Sequence, residues 1–432
     1  MYWNEHAETM SRDERAALQS ARLRDAVARA YQHVPAYREK MLRAGLLPND
    51  VRGIEDLPKL PYTLKTDLRD NYPYGMFATP MGEVVRIHAS SGTTGKQTVV
   101  GYTRRDIEIW NECMARSLTM CGVTRQDVMH VSYGYGLFTG GLGGHYGGET
   151  IGCATIPVSV GNTKRQLQIM EDFGSTVLLC TPSYAMLLGD AVMAAGIRDK
   201  IKLRVGVFGA EPWTEHMRQE IETRLGLNAY DIYGLSEISG PGVANECTCK
   251  SGLHIHEDHF MAEVVDPDSG APLPDGQRGE LVFTCLTKEA MPLIRYNTRD
   301  ITVMRHEKCG CGRTLARMDK PTGRTDDMLI IRGVNVFPSQ IESVLLGFGE
   351  AAPHYLIVVE RRDNLDTLEI KVEMTEDFFS DEVRALEELE RRIRKEVEST
   401  LGLAAKITLT SPGSIERFEG KAKRVVDRRN IL

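Results

Sequence analysis

The sequence predicts an α/β fold with a large N-terminal domain of parallel or mixed sheets and helices, a β-rich subdomain, and a small α+β C-terminal domain. Three observations lead to this prediction. Strand and helix patterns alternate from residue 128 to the helix that opens at Pro212, as in parallel strands joined by helices. From about residue 252, short strands follow one another between turns rich in Pro, Gly and Asp. Residues 355–409 then combine strands with one amphipathic helix, which indicates a separate small domain.

The N-terminal region is predicted to be helical and then irregular. Residues 11–44 carry apolar side chains at helical spacing, and Pro35 interrupts the helix. A run of prolines between residues 58 and 80 marks a connector, which leads to a short strand at 84–87. The alternating region that follows has predicted strands at residues 128–131, 151–158, 176–180 and 203–208. Its predicted helices cover residues 166–173, 184–195 and a segment that opens at Pro212.

The second half of the sequence is predicted to be richer in strands. The predicted strands of the β-rich part, with the one that leads into it, cover residues 227–230, 254–265, 279–284 and 300–304. Residues 323–338 are rich in Gly and charge, and they are predicted to connect two domains. The C-terminal strands are predicted at residues 355–360, 368–374 and 405–409. A helix is predicted at residues 381–400, because its apolar residues recur at helical spacing.

The composition is that of a globular protein. The chain has 432 residues, of which 42% are hydrophobic and 26% are charged. Its formal net charge of −7 argues against a general binder of nucleic acid or membrane surfaces. Apolar runs stay well short of the ~20 residues that span a membrane, and the first residues lack the pattern of a signal peptide. Five of the nine cysteines are scattered in apolar stretches, so a cytoplasmic protein is expected.

The most informative stretch is SSGTTGKQTVVGYT at residues 90–103. Its hydroxyls, backbone N–H groups and ammonium suit a polyphosphate, and its glycines let the backbone approach an anion closely. A Walker A loop is excluded, because about four residues separate its first glycine from its Gly-Lys. Gly92 and Gly95 are separated by only two residues. A polar hairpin turn is the alternative interpretation of this run.

Four further polar motifs follow at residues 231–237, 296–300, 323–333 and 420–424. In the first, a tyrosine, a hydroxyl and a carboxylate could stack a purine, hold a phosphate oxygen and bind Mg²⁺. In the second, Asp300 could accept both hydroxyls of a ribose. Taken singly, each motif also fits ordinary structure: a turn with Ser236 capping a helix, a turn aspartate, or a solvated basic tail.

The remaining four cysteines form a candidate metal site. Cys247 and Cys249 precede His254, and Cys309 and Cys311 lie downstream. Two Cys-x-Cys pairs with one histidine fit a closed tetrahedral zinc site of three sulfurs and one nitrogen, which is the structural type. The preferred ligands are Cys247, His254, Cys309 and Cys311, with Cys249 as substitute because the Cys-x-Cys spacing is tight. Four free thiols are the alternative.

The order and spacing of the five polar motifs resemble the adenylate-forming superfamily, which includes acyl-CoA synthetases, peptide-synthetase adenylation domains and luciferases. The resemblance covers essentially the full chain. Three longer strings resemble the phenylacetate-CoA ligase family within that superfamily: YGYGLFTGGLGGH at 133–145, VFGAEPW at 207–213 and LIIRGVNVFP at 329–338.

The resemblance implies a function and a division of the chain. It implies an ATP-dependent ligase that joins an aryl acid, phenylacetate first, to coenzyme A through an acyl-adenylate, releasing AMP and diphosphate. Residues 1–325 would bind AMP and the acid, and residues 326–432 would be a mobile C-terminal domain. Asp326 would be the hinge, and Gly333 would line the channel for coenzyme A.

The resemblance also assigns site residues. Lys421 would be catalytic in adenylation, and Glu237 would coordinate Mg²⁺. The ATP- and AMP-binding residues would be Ser91, Gly92, Thr93, Thr94, Gly95, Lys96, Gly209, Ala210, Glu211, Pro212, Asp231, Ile232, Tyr233, Ser236, Asp300 and Arg324. The acid would lie against Tyr135, Phe138, Gly140 and Gly141 in a glycine-rich aromatic loop, although these aromatic residues could also be core.

Three alternatives stay open at this point. One is an adenylating enzyme that loads an aryl acid on a carrier protein. Another is a CoA ligase for a different arylacetate such as indoleacetate. The third is a zinc-organised protein that senses nucleotides without turnover. The expected partners are the small molecules ATP, aryl acid and coenzyme A, and the oligomeric state is open, a homodimer being one option.

Overall fold

The computed structural model describes residues 1–90, 97–325, 329–331, 334–362, 365–376, 378, 383–417 and 424–429. The chain forms two compact units. The first consists of Met1–Ala210 and Ile221–Pro321, and the second of Glu211–Glu220 and Thr322–Leu432. The division at residues 325 and 326 stays a prediction.

The N-terminal region is helical, as predicted. Helices α1 (Glu5–Thr9), α2 (Arg12–His33) and α3 (Pro35–Arg43) follow one another. The Ser11 hydroxyl caps α2 by accepting the N–H of Glu14 at 3.3 Å, and Pro35 begins α3, where its missing N–H costs nothing. The connector that follows contains α4 (Lys65–Asp70) and 3₁₀ turns at Pro48–Asp50, Ile54–Lys59 and Met81–Glu83.

The first unit continues with alternating strands and helices. The strands are β1 (Val84–Ala89), β2 (Val99–Thr103), β3 (Val128–Val131), β4 (Ala154–Ile156), β5 (Val177–Cys180), β6 (Val205–Gly209) and β7 (Asn228–Leu235). The helices are α5 (Arg104–Met120), α6 (Thr139–Ile151), α7 (Thr163–Asp172), α8 (Pro182–Ala195) and α9 (Glu215–Leu225), and α9 is divided between the two units after Glu220. Strands β1 and β2 form an antiparallel hairpin, whereas β3 to β7 pair in parallel.

The β-rich part extends the same sheet with antiparallel strands. Its strands are β8 (Gly240–Glu246), β9 (Leu253–Ile255), β10 (Phe260–Val265), β11 (Arg278–Cys285), β12 (Tyr296–Arg305) and β13 (Arg317–Met318). Among the described residues, eleven strands are joined in the order β10-β11-β12-β13-β9-β8-β7-β6-β5-β3-β4. The predicted β-rich subdomain is therefore the antiparallel half of one mixed sheet.

Three predicted elements differ from the structure. The strand predicted at 151–158 is only Ala154–Ile156, because α6 continues to Ile151. The helix predicted to open at Pro212 begins at Glu215, where the Thr214 hydroxyl accepts the N–H of Met217. The strand predicted at 254–265 is two strands, β9 and β10, separated by a turn.

The glycine-rich stretch predicted to be a loop forms most of α6. A side chain at Gly143 would lie 2.7 Å from the Trp110 ring, and one at Gly147 would lie 2.6 Å from the Met114 side chain. The glycines therefore allow α6 to pack closely on α5, which offsets their poor helix propensity. Gly140 and Gly141 lie in the first turn of this helix, whereas Tyr135 and Phe138 precede it.

The second unit has the predicted α+β pattern. Its elements are β14 (Leu329–Ile331), β15 (Val334–Val336), α10 (Pro338–Leu345), β16 (Ala351–Arg362), β17 (Leu365–Met374), α11 (Val383–Leu401), β18 (Lys406–Thr410) and β19 (Val425–Asp427). Its sheet has the order β18-β17-β16-β19, and Ile357, Ile370 and Ile393 lie in its core. The predicted connector at 323–338 contains the β14–β15 hairpin. Among the described helices, none combines the length and the apolar character needed to cross a membrane.

Candidate active site

The predicted phosphate loop is described only at its ends. Ser90 donates its N–H to the Thr98 carbonyl at 2.9 Å, and its hydroxyl accepts the Thr98 N–H at 3.2 Å. These bonds continue the β1–β2 hairpin to the base of the loop. The predicted residues that lie outside the described part of the chain are Ser91, Gly92, Thr93, Thr94, Gly95, Lys96, Asp326, Gly333 and Lys421.

Two of the predicted nucleotide-binding motifs meet in the first unit. The Tyr233 hydroxyl, on β7, donates a hydrogen bond of 2.6 Å to Oδ2 of Asp300, on β12. The Tyr233 ring also stacks on Phe283, with ring centroids 6.1 Å apart. Asp300 lies at a bulge in β12, where Arg299 has a φ of +66°, and the Asp300 N–H donates to the Thr298 hydroxyl at 3.0 Å. The Asp300 carboxylate and the Tyr233 ring are therefore held together at the edge of the sheet that the carboxyl ends of β6 and β7 form.

The two predicted adenine segments are neighbours in the sheet. Gly209 ends β6 and pairs with Ile232 on the parallel strand β7. A side chain at Gly209 would clash with the Ile232 carbonyl, so the close approach requires glycine. The next residue, Ala210, has a φ of +73°, which turns the chain sharply at the strand end. The Asp231 N–H donates to Glu246 at 2.8 Å, so this part of the edge is fixed by its neighbours.

Three members of the predicted nucleotide set belong to the second unit. Glu211, Pro212 and Arg324 fall within its segments Glu211–Glu220 and Thr322–Leu432. Their roles at the nucleotide stay predictions.

The turn that carries Ser236 and Glu237 is held by side chains that the sequence did not identify. The Tyr102 hydroxyl donates to the Ser236 carbonyl at 3.1 Å, and the Lys288 ammonium donates to the Glu237 carbonyl at 3.0 Å. Lys288 is buried over the Tyr102 ring, and its burial lowers its pKa. Lys65 is the third side chain that contacts this turn, and its Nζ lies 3.8 Å from Oε1 of Glu237.

No sequence signal gave Tyr102, Lys288 or Lys65 a role, although Tyr102 lies within the informative stretch at residues 90–103. Lys65 lies in the proline-marked connector, Lys288 lies in the short segment between β11 and β12, and Tyr102 is one apolar position of a strand. Their roles depend on contacts between segments that are far apart in the sequence.

The predicted acid-binding residues lie around the start of α6. The Tyr135 hydroxyl is 3.3 Å from Nδ1 of His145, and burial raises the pKa of Tyr135. Phe138 is 50% exposed. A side chain at Gly141 would lie 2.6 Å from the Gly134 carbonyl oxygen, so close backbone packing already explains this glycine. An aromatic slot at these residues stays a prediction.

The preferred zinc ligands come together as predicted. The ligand atoms of Cys247, His254, Cys309 and Cys311 all lie within 4.8 Å of one another. Nε2 of His254 is 3.3 Å from the Cys247 sulfur and 3.6 Å from the Cys311 sulfur, and the Cys247 and Cys309 sulfurs are 3.8 Å apart. The substitute, Cys249, is exposed and is not a member of this group. The hydrogen bonds from Cys247 and His254 lower the pKa of Cys311.

The loop that carries Cys309 and Cys311 is anchored to the N-terminus. Arg313 donates from Nε to the Glu8 carboxylate at 2.6 Å, and both side chains are almost fully buried. Arg313 also donates to the Met1 carbonyl at 2.7 Å, and the Tyr2 hydroxyl donates to the Cys311 carbonyl at 3.1 Å. The cysteine cluster and the first residues of the chain therefore form one packed region.

Comparison with known proteins gives matches along nearly the whole chain. The family model for AMP-binding enzymes matches residues 52–285, and the model for the AMP-binding enzyme C-terminal domain matches residues 333–429. The phenylacetate-coenzyme A ligase of Thermus thermophilus is 51% identical, with 99% of this chain and 100% of that protein covered. The ligase of the same name from Escherichia coli is 52% identical, with 98% and 97% covered.

Solved structures agree with these matches. The crystal structure of 2-hydroxyisobutyryl-CoA ligase in the postadenylation state, in complex with 2-HIB-AMP, has a TM-score of 0.92 and 30% sequence identity. The match covers 99% of this chain and 92% of that one. The chain therefore belongs to the phenylacetate-coenzyme A ligase family of the AMP-binding, adenylate-forming enzymes.

Proposed function

We propose that the protein joins phenylacetate to coenzyme A at the expense of ATP. The acid carboxylate attacks the α-phosphorus of ATP, which gives phenylacetyl-adenylate and diphosphate. The thiol of coenzyme A then attacks the acyl carbon, which gives phenylacetyl-CoA and AMP. The names of the relatives at 51% and 52% identity support the choice of acid and thiol. The structural observation that carries the proposal is the 2.6 Å hydrogen bond between Tyr233 and Asp300 at the edge where Gly209 meets Ile232.

The nucleotide is proposed to lie along that edge. Its adenine would lie between Gly209–Ala210 and the Asp231–Tyr233 part of β7, and its ribose hydroxyls would be bound by Asp300. The Asp300 carboxylate suits this role because it can accept two hydrogen bonds while Tyr233 fixes its orientation. Arg324 is proposed as a second ribose contact, and Ser236 as a contact to the α-phosphate.

Charge neutralisation is the main chemical requirement of the first step, because two anions must meet. The predicted phosphate loop, Ser91 to Lys96, and Lys421 would supply it. Glu237 would hold Mg²⁺, whose charge would support the phosphates; a buried carboxylate is a suitable hard oxygen ligand. The second step would require Lys421 to leave, with Asp326 as the pivot and Gly333 along the path of coenzyme A.

A structural zinc ion is proposed at the cysteine cluster. Three sulfurs and one imidazole nitrogen within a few ångströms suit tetrahedral zinc, and the four ligands leave no open position for catalysis. A cytoplasmic location is part of the proposal, because such thiols need a reducing compartment to stay available, and none of the nine cysteines is in a disulfide bond.

The function is tested by two assays on the purified protein. Phenylacetate-dependent exchange between ATP and labelled diphosphate is expected, which a nucleotide-sensing protein without turnover would not give. Release of AMP is expected to require free coenzyme A and not a carrier protein. A panel that includes phenylacetate and indoleacetate should give the highest kcat/KM for phenylacetate. Exchange with none of the acids would contradict the proposal.

Replacing Tyr233 by phenylalanine should weaken the binding of ATP. The variant keeps the ring but loses the hydroxyl that orients Asp300, so we expect the KM for ATP to rise roughly tenfold. The KM for phenylacetate should change by less than about twofold, because Asp300 would contact only the nucleotide. Steady-state exchange kinetics measure both values. Tyr62→Phe is the matched control, because the Tyr62 hydroxyl also makes a hydrogen bond, of 2.7 Å to Gly270. Equal effects in the two variants would contradict the role of Tyr233.

A further inference from the structure

The acid substrate brings a negative charge that the predicted acid-binding residues do not balance. Tyr135, Phe138, Gly140 and Gly141 offer rings and backbone, and none of them carries a positive charge. Lys421 is proposed to act at the α-phosphate and to leave before the second step. A cation that stays in the first unit would therefore help to bind and orient the carboxylate before it attacks.

Lys65 provides such a cation. Its Nζ lies 3.8 Å from Oε1 of Glu237, which makes an ion pair without a direct hydrogen bond. The Glu237 side chain is 7% exposed, whereas that of Lys65 is 33% exposed. The lysine therefore reaches the buried carboxylate from the solvent-exposed side.

The backbone of Lys65 is fixed by the strand that carries Asp300. Thr63, two residues earlier, donates its N–H to the Arg295 carbonyl at 3.0 Å and accepts the N–H of Asn297 at 3.0 Å. Its hydroxyl donates to the Ile294 carbonyl at 2.7 Å. The Leu64 N–H is bound by the Asp67 carboxylate at 2.6 Å, at the start of α4. The backbone next to Lys65 is thus anchored, while the Lys65 side chain is partly exposed.

The predicted acid-binding stretch is next to the same turn. The Ser236 hydroxyl is 3.3 Å from the hydroxyl of Thr139, which lies between Phe138 and Gly140 at the start of α6. Glu237, which follows Ser236, faces Lys65. The start of α6, the Ser236–Glu237 turn and Lys65 are therefore consecutive neighbours within the first unit.

We infer that Lys65 binds the carboxylate of the acid substrate, and that its ion pair with Glu237 is the arrangement before the acid arrives. An ammonium on a flexible stem suits this exchange of one carboxylate for another. The inference rests on the proposed function, since Glu237 would turn from Lys65 to the divalent ion as the acid takes the ammonium.

The test is Lys65→Met, which keeps the length of the side chain and removes its charge. We expect the KM for phenylacetate in ATP–diphosphate exchange to rise at least about tenfold, as for loss of a charged hydrogen bond, with the KM for ATP within about twofold. Lys65→Arg should recover most of the loss. Lys59→Met is the control, because Lys59 lies in the same connector and also pairs with a carboxylate, that of Asp56 at 2.6 Å.

A second measurement separates charge recognition from pocket shape. Phenylacetamide has the same ring but no negative charge, and its inhibition constant should be the same in the wild type and in Lys65→Met. A parallel loss for phenylacetate and phenylacetamide would overturn the inference, since it would mean that Lys65 only supports the structure. If the wild type is active and Lys65→Met has the same KM for phenylacetate, the inference is also overturned. The proposed function would then still stand. A wild type that activates no aryl acid would instead contradict the proposed function.

Discussion

Replacing Lys421 by alanine is expected to lower the rate of acyl-adenylate formation by about two to three orders of magnitude. The reason is electrostatic. The attack of a carboxylate on the α-phosphate of ATP concentrates negative charge in the transition state, and a lysine ammonium would neutralise it. Proton transfer contributes little to this step, so no neighbouring acid or base would compensate for the loss. ATP–diphosphate exchange at saturating phenylacetate measures the effect.

The second half-reaction should distinguish this role from a general loss of structure. When phenylacetyl-adenylate is supplied, the variant should form phenylacetyl-CoA at nearly the wild-type rate, because Lys421 would be away from the site in that step. Lys423→Ala is the matched control, because it removes a positive charge from the same basic segment. Equal loss of both half-reactions in Lys421→Ala would contradict a mechanism in which the C-terminal domain turns between the two steps.

The parts of the fold that could be predicted from the sequence are those with a local pattern. Helix α2 has apolar residues at helical spacing between Ser11 and Pro35, and the parallel strands β3, β5 and β6 are short apolar runs between helices. The grouping of Cys247, His254, Cys309 and Cys311 could be predicted because few side chains bind zinc and their spacing restricts the choice. The nucleotide roles could be inferred only from the resemblance, since a lone Tyr-Gly or Asp has many structural explanations.

The parts that could not be predicted depend on distant contacts. Helix α6 contains pairs of glycines that favour a loop by propensity, but Trp110 and Met114 of α5 leave room for nothing larger. Lys65 and Lys288 belong to segments without a motif, and only the fold brings both to the Glu237 turn. Chemistry that is assembled from separate segments in this way leaves no periodic signal in the sequence.

Replacing Cys309 by serine is expected to abolish zinc binding and to cost more than about 4 kcal/mol of stability, as when a structural metal is lost. A serine hydroxyl stays protonated at neutral pH and is a poor zinc ligand, so one sulfur would be missing from the buried cluster. Metal analysis should give about one zinc per wild-type chain and none in the variant, and thermal unfolding should give a much lower Tm. Cys249→Ser is the control, because Cys249 is exposed and outside the cluster.

The loss of stability in Cys309→Ser should also affect the N-terminus of the chain. Cys309 accepts the N–H of Gly312 at 3.0 Å, and the next residue, Arg313, neutralises the buried Glu8 carboxylate. A loop that loses its metal would no longer hold Arg313 in place, and an unpaired buried carboxylate is costly. Faster proteolysis near residues 1–10 is therefore expected in Cys309→Ser and in wild-type protein treated with a chelator, but not in Cys249→Ser. A wild-type protein without zinc would contradict the metal site. If Cys249→Ser lost as much zinc as Cys309→Ser, Cys249 would have to be counted among the zinc ligands.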